Sequence, residues 1–277
     1  MNMSLKKRIM DHSLGDIQNT TMLKGELNCL PFHLRETHEY VMTLPESYYG
    51  PGSYDKWIRV GWALRNTHFD LFVSWVALSS QSSSFTFEQV PSYFTQWCSW
   101  RSLNYEGLSW RSIMYWSKHE SYEQYLCIKE NRIDLIFDNL FSSETKYDTI
   151  SHTANLFYQV FKDTYMCTSI KNNTWYEVHV LPNQCLRLCE TDWDTISKSL
   201  SSIVGFYGLI AKKLRSIQQE CFKLECQGND TERHAIFEKQ MSRVSELCLK
   251  LKKTKFQYHV MMKARELLYS RDIIISS

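Results

Sequence analysis

Two carboxylates two residues apart, Asp192 and Asp194, form the pair in this 277-residue chain best suited to metal-assisted nucleotidyl transfer. On a strand, side chains at i and i+2 face the same way and can share cations. Their surroundings point elsewhere. Asp192-Trp193-Asp194 opens a long helical pattern, where acidic side chains cap the first turn and favour the positive end of the helix, so the pair is expected to cap and not to catalyse. The other chemistry-bearing cluster is basic: Lys250, Lys252, Lys253 and Lys255, then Lys263 and Arg265, interleaved with Phe256 and Tyr258. Lysines neutralise phosphates without reading sequence, and aromatic rings stack on unpaired bases. The alternative is a solvated helix face with both rings packed inward.

A nucleotide-hydrolysing motor needs a glycine loop whose backbone amides wrap phosphates, followed by Lys and Ser or Thr. The glycines stand at 15, 25, 50, 52, 61, 107, 205, 208 and 228, and none precedes Lys-Ser or Lys-Thr. There is no P-loop. No Ser-His-Asp or Cys-His arrangement is recognisable locally, so no enzymatic activity and no cofactor are expected. The nine cysteines are scattered and never spaced C-x-x-C, which predicts reduced, mostly packed thiols. Cys185, Cys189 and His179 lack a fourth ligand at suitable spacing, and no metal site is expected.

These residues must be positioned by a globular scaffold. Apolar residues make up 43% of the chain and charged residues 22%, with only 9 Gly and 5 Pro, which excludes a disordered or fibrous chain. The length allows two packing units, and 9 Trp, 16 Tyr and 14 Phe supply large side chains for helix interfaces. The net charge of +2 is uneven: residues 198–277 hold 15 Lys/Arg against 8 Asp/Glu, and residues 1–197 hold 17 against 22. A basic C-terminal third suits a polyanion partner or, equally, a solvated surface. No stretch approaches the roughly 18 apolar residues of a membrane span, and the polar N-terminus, Met1 to Asp16, is not a secretory signal. An intracellular protein without a membrane partner is expected.

Periodicity predicts a mainly α fold. Residues 1–52 read as weakly organised, with a short helix from His38 to Leu44. A small helical bundle is expected over 53–141. Its first helix is capped by Ser53, with Tyr54, Trp57, Val60 or Gly61, and Leu64 on one face. Helices follow near 70–79 and 86–97, then one capped by Ser109 and another over 122–141. Ser142-Ser143-Glu144 marks the domain boundary, and 144–277 forms an α-rich domain that starts with a helix over 145–161. The period then alternates over 164–169, 174–180 and 184–188, predicting a three-stranded antiparallel meander. Trp193, Ile196, Leu200, Ile203, Tyr207, Ile210, Leu214, Ile217, Cys221 and Leu224 step 3-4-3-4 as the seam of one long helix. Asn229 with Glu232 restarts the chain after Gly228, and Phe237, Met241, Val244, Cys248 and Leu251 return as a matching seam. Together they predict a long antiparallel helical hairpin.

Two segments resemble parts of the poxvirus-type primase-helicases of large nucleocytoplasmic DNA viruses. The first is Tyr54-Asp55-x-Trp57-x-x-Val60-Gly61-x-Ala63-Leu64-x-Asn66 with Trp75, Trp97 and Ile113 to Lys118, which looks like the helical primase C-terminal linker domain. The second, from about Tyr147 to Arg271, is similar to the domain preceding the helicase; Lys171 to Tyr176 match its tryptophan-bearing hairpin, and Leu251 to Phe256 with Glu266 to Tyr269 match its end. The resemblance implies a non-catalytic module of a viral DNA-replication primase-helicase, joining or positioning the helicase in the host cytoplasm or at a viral replication site. Its implied partners are a helicase ATPase subunit or domain and single-stranded DNA. Val76 departs from the pattern, which usually has Ser after this tryptophan. The sequence also ends at Ile273 to Ser277, before the ATPase, and lacks room for a primase upstream, so a split-gene product, a truncated paralogue or a degenerating copy is expected. The rival expectation is a structural protein that forms a homo-oligomer through the heptad hairpin.

Overall fold

Aromatic residues at three- and four-residue steps bury best against one another as short helices. The computed structural model has that arrangement in its first half. It describes residues 23–100, 108–142, 149–180, 186–201, 205–227 and 231–269. The fold is mainly α with one small sheet, and backbone packing divides it into two compact units, residues 1–128 and 129–277.

In the first unit α1 (Phe32–Val41), α2 (Tyr54–Thr67), α3 (Phe72–Ser79), α4 (Val90–Ser99) and α5 (Trp110–Glu120) form a bundle, joined by the start of α6 (Tyr122–Ser142). The unit boundary falls inside α6. The breaker Ser142-Ser143-Glu144 stands at the end of that helix, and residues 143–148 lie outside the described residues. The helix expected over His38–Leu44 begins six residues earlier and ends at Val41; of the segment 1–52, residues 23–52 are built around it, and residues 1–22 lie outside the described residues. Leu34, Tyr40 and Val41 are buried as the core-facing stripe of α1, and Leu30 and Leu44 are buried just beyond its two ends.

Short 3-10 turns, Phe69–Leu71 and Phe87–Gln89, lead into α3 and α4. In α4, Pro91 sits in the first turn, where its missing N–H leaves no helical bond unmade. Ser109 caps α5 as expected: its Oγ accepts the Arg111 N–H at 3.3 Å, while Ser112 Oγ accepts the Ser109 N–H at 3.2 Å. Ser53 precedes α2 but does not cap it, since its hydroxyl donates to the Gly50 carbonyl at 2.7 Å. Tyr54, expected on the buried face of α2, is 62% exposed; Ile58, Val60, Gly61, Ala63 and Leu64 form that face. At its centre, Trp75 stacks on Trp57 with ring centroids 4.5 Å apart and packs against Trp97 and Trp100 at 5.8 and 5.1 Å. The half-buried Trp57 donates its indole N–H to Ser79 Oγ at 2.8 Å, so the polar edge of this ring is satisfied where it packs.

The second unit takes Ile133 and Phe137 from α6, then α7 (Thr149–Phe161), β1 (Tyr165–Ser169), β2 (Thr174–Val180), β3 (Leu186–Thr191), α8 (Trp193–Ser201), α9 (Phe206–Gln227), α10 (Thr231–Lys250) and α11 (Thr254–Leu268). The strands are a three-stranded antiparallel meander in the order β1-β2-β3. Asn173 adopts a positive φ of 53° in the β1–β2 turn, a conformation asparagine tolerates better than most residues.

The heptad seam does not run through one helix. It is shared by α8 and α9, with a bend at Gly205; residues 202–204 lie outside the described residues. Two glycines, Gly205 and Gly208, each weaken helix propensity by about 1 kcal/mol against alanine, which a hydrophobic seam does not reveal. Ile196, Ile210, Ile217 and Cys221 nonetheless face the core, as do Val244, Cys248 and Leu251 across the α9–α10 hairpin. Near the hairpin's turn, His234 Nε2 lies 3.2 Å from Glu225 Oε1. The restart at Asn229 lies outside the described residues. Three of the eight described cysteines are buried and four are exposed, so the expectation of mostly packed thiols does not hold. Helical periodicity places a small residue on a face without stating whether another element covers that face.

Candidate nucleic-acid interface

The basic cluster is organised by α11, whose Val260, Met261, Ala264 and Leu268 are fully buried along α7 and α8. Tyr269, just beyond the helix, forms a backbone bridge with Cys167 of β1. One stripe of α11 is thereby fixed inward, and the residues between those positions are turned outward.

The six predicted residues fall into three groups. Lys250, Lys252, Lys253 and Lys255 come together on the short turn from α10 into α11. Lys263 and Arg265 stand eight and ten residues after Lys255, about 12–15 Å further along the helix axis. Lys250 and Lys263 are each neutralised on their own helix, by Glu246 at 2.8 Å and Glu266 at 3.2 Å. Lys252, Lys253 and Lys255 are exposed and have no carboxylate partner among the described residues. Lys252 Nζ lies 5.7 Å from the centre of the Tyr207 ring. Arg265 is half-buried: its guanidinium lies 5.9 Å from the centre of the Trp193 ring, and Nη1 is 3.4 Å from Asn173 Oδ1.

Helix electrostatics distinguish these lysines. Lys250 ends α10, where a cation complements the negative end of the helix, whereas Lys253 and Lys255 sit at the start of α11, where a cation opposes the positive end. Their positions do nothing for helix stability. An anion placed there would meet three lysine charges and the free N–H groups of the first turn.

The two interleaved rings also separate. Phe256 packs half-buried against the core of the second unit, while Tyr258 is 54% exposed. Tyr258 lies 6.5 Å from Trp193, which in turn lies 5.9 Å from the buried Trp175. Arg265, Asn173 and Trp193 meet from three separate elements, a juxtaposition the sequence did not reveal. The exposure of Tyr258 had a signal: it falls off the stripe defined by 260, 261, 264 and 268.

Asp192 takes the capping role. Its Oδ1 accepts the Thr195 N–H at 2.6 Å and Oδ2 accepts the Thr195 hydroxyl at 3.0 Å. These bonds hold its carboxyl below the usual carboxylate range. Asp194 lies in the first turn of α8, so the two carboxylates are on a helix start and not on a strand. Among the described residues, no group of three or more His, Cys, Asp or Glu side chains is placed to hold a metal. Of the cysteine–histidine set, Cys189 is half-buried on β3, and Cys185 lies outside the described residues. No described helix is long and apolar enough to cross a membrane.

No protein-family model matches the chain. It is similar to a viral protein. That relative, from Acanthamoeba polyphaga mimivirus and named "Putative helicase", is 29% identical over 128 residues, which is 45% of this chain. The match spans only 12% of the relative's own length. The likeness is therefore to a helicase-related viral protein, over a small part of it.

Proposed function

We propose that this chain is a non-catalytic module of a viral DNA-replication primase-helicase, positioning a helicase ATPase subunit or domain and contacting single-stranded DNA through Lys252, Lys253 and Lys255. The observation that carries the reading is the trio itself: three exposed lysines without carboxylate partners among the described residues, crowded around the start of α11, where Lys253 and Lys255 gain nothing from the helix dipole. Lysines in such a place have an energetic reason to meet phosphate. The likeness to a helicase-related viral protein supports the same setting, and the absence of a P-loop in the sequence argues that this chain does not itself drive the motor.

The test is binding of a labelled oligothymidylate by the full chain across a salt series. Affinity should fall as salt rises, with a slope that decreases by about two contacts' worth in Lys252→Glu plus Lys253→Glu. Affinity no greater than that of a neutral control protein at low salt would remove the DNA contact.

A second reading has its own observation. Phe222 on α9 and Ile236 on α10 are 66% and 50% exposed, both near the turn of the helical hairpin. Exposed apolar side chains of this size suit an assembly surface. Light scattering separates the readings: a stable oligomer that ignores DNA favours a structural role for the hairpin.

A further inference from the structure

Tyr258 is a large aromatic residue of α11 that falls off the stripe buried by Val260, Met261, Ala264 and Leu268. More than half of its surface is open, and its hydroxyl makes no hydrogen bond among the described residues. It contributes little to the core. Its ring is nevertheless held. Trp193 meets it at 6.5 Å with the rings inclined at 64°, and Trp193 is fixed from behind by the fully buried Trp175. The Trp175 indole N–H donates to Asn173 Oδ1 at 3.0 Å, and that same oxygen lies 3.4 Å from Arg265 Nη1. The guanidinium of Arg265 lies over the Trp193 ring, 5.9 Å from its centre. Tyr258, Met262 and Arg265 form one stripe of α11, and Trp193 spans it.

An exposed ring with a braced edge is a rigid platform. Lys255 lies on the same stripe one helical turn before it, about 5 Å along the axis. That is the order of the separation between a phosphate and the base it carries. Asp192 and Asp194 flank Trp193 in the chain, and the cation nearest Tyr258 along the helix stripe is Lys255. Lys255 thus offers a phosphate contact one helical turn from the exposed ring of Tyr258.

We infer that Tyr258 is a base-stacking site for single-stranded nucleic acid, with Trp193 and Arg265 as positioning residues that hold its ring. This rests on the reading of Lys252, Lys253 and Lys255 as a phosphate contact and adds to it a contact that depends on the base. Recognition of this kind is indifferent to base identity, since every base has a stacking face.

The experiment measures binding of two labelled strands of equal length by the full chain: oligothymidylate, and an abasic oligonucleotide with the same number of phosphates. The parent should prefer the base-bearing strand by about 5- to 100-fold, the range that one stacked base supplies. Tyr258→Ala should lose that preference while binding the abasic strand within about twofold of the parent; that retained binding also shows that the variant is folded. Tyr258→Phe should keep the preference, because the ring and not the hydroxyl does the stacking. Equal binding of both strands by the parent, or an undiminished preference in Tyr258→Ala, overturns the stacking site and leaves the lysine contact standing. Binding of neither strand by the parent removes both.

Discussion

Gly61 of α2 lies so close to Trp75 of α3 that a Cβ on the glycine would stand 2.9 Å from the indole Cε2. Trp100 approaches the same point from α4's end, also at 2.9 Å. Neither ring can withdraw, because Trp75 is fully buried and Trp100 nearly so. The glycine is therefore a packing requirement of the tryptophan cluster. Gly61→Ala should destabilise the first unit by about 1–3 kcal/mol through overpacking, less the ~1 kcal/mol that alanine gains in helix propensity. Urea denaturation should show a lower midpoint with an unchanged slope. An unchanged or raised midpoint would mean that the indoles shift freely.

His38 on α1 offers a pH test of the same unit. Burial lowers its pKa from 6.5 to about 4, and Nδ1 is buried without a hydrogen-bond partner among the described residues. Between those values the unfolded chain binds the proton and the folded chain does not, so stability falls as pH drops from about 6.5 to about 4 and levels off below. The loss should be on the order of 2–3 kcal/mol. Unfolding free energies of the parent and His38→Leu across this window should diverge on the acid side, the parent losing more; parallel curves would contradict the burial of a neutral imidazole.

In the second unit, Lys129 Nζ lies 2.8 Å from both carboxylate oxygens of Asp163, and the aspartate side chain is only 7% exposed. Removing one partner leaves a poorly solvated charge. Lys129→Ala should cost about 3 kcal/mol, and Lys129→Met combined with Asp163→Leu should recover much of that. A double-mutant cycle by chemical denaturation measures the coupling; strictly additive losses would show that the pair contributes nothing as a pair.

Asp192 and Asp194 are separable by the same logic. Asp192→Ala should lower the melting temperature, with Asp192→Asn milder because an amide oxygen still caps. The folded carboxyl sits below the ordinary aspartate value, so its contribution is present above about pH 3.9 and fades as pH falls through the folded value. Asp194→Ala, lacking the cap bonds, should leave the melting temperature nearly unchanged. A larger effect for Asp194 than for Asp192 would reverse the assignment.

Local pattern was enough for much of this protein. The mainly α character, the capped helix after Ser109, the meander and the capping by Asp192 all follow from residue types within a few positions of one another. Helical and strand periods and cap chemistry are short-range properties, legible along the chain. The missing P-loop is equally local, since the loop's chemistry demands contiguous residues.

Tertiary structure decided the rest. Six basic residues look equivalent in one dimension; only the folded chain shows that Glu246 and Glu266 neutralise two of them, that Arg265 is laid on Trp193, and that Lys252, Lys253 and Lys255 have no carboxylate partner among the described residues. The seam from Trp193 to Leu224 has an unbroken apolar period, yet it bends at Gly205, because periodicity records which residues face the core and not whether the backbone stays helical between them. Phe256 and Tyr258 are two residues apart and alike in type, but one packs and one is exposed. The difference lies in which side of α11 is covered by α7 and α8, a long-range fact that no local pattern contains.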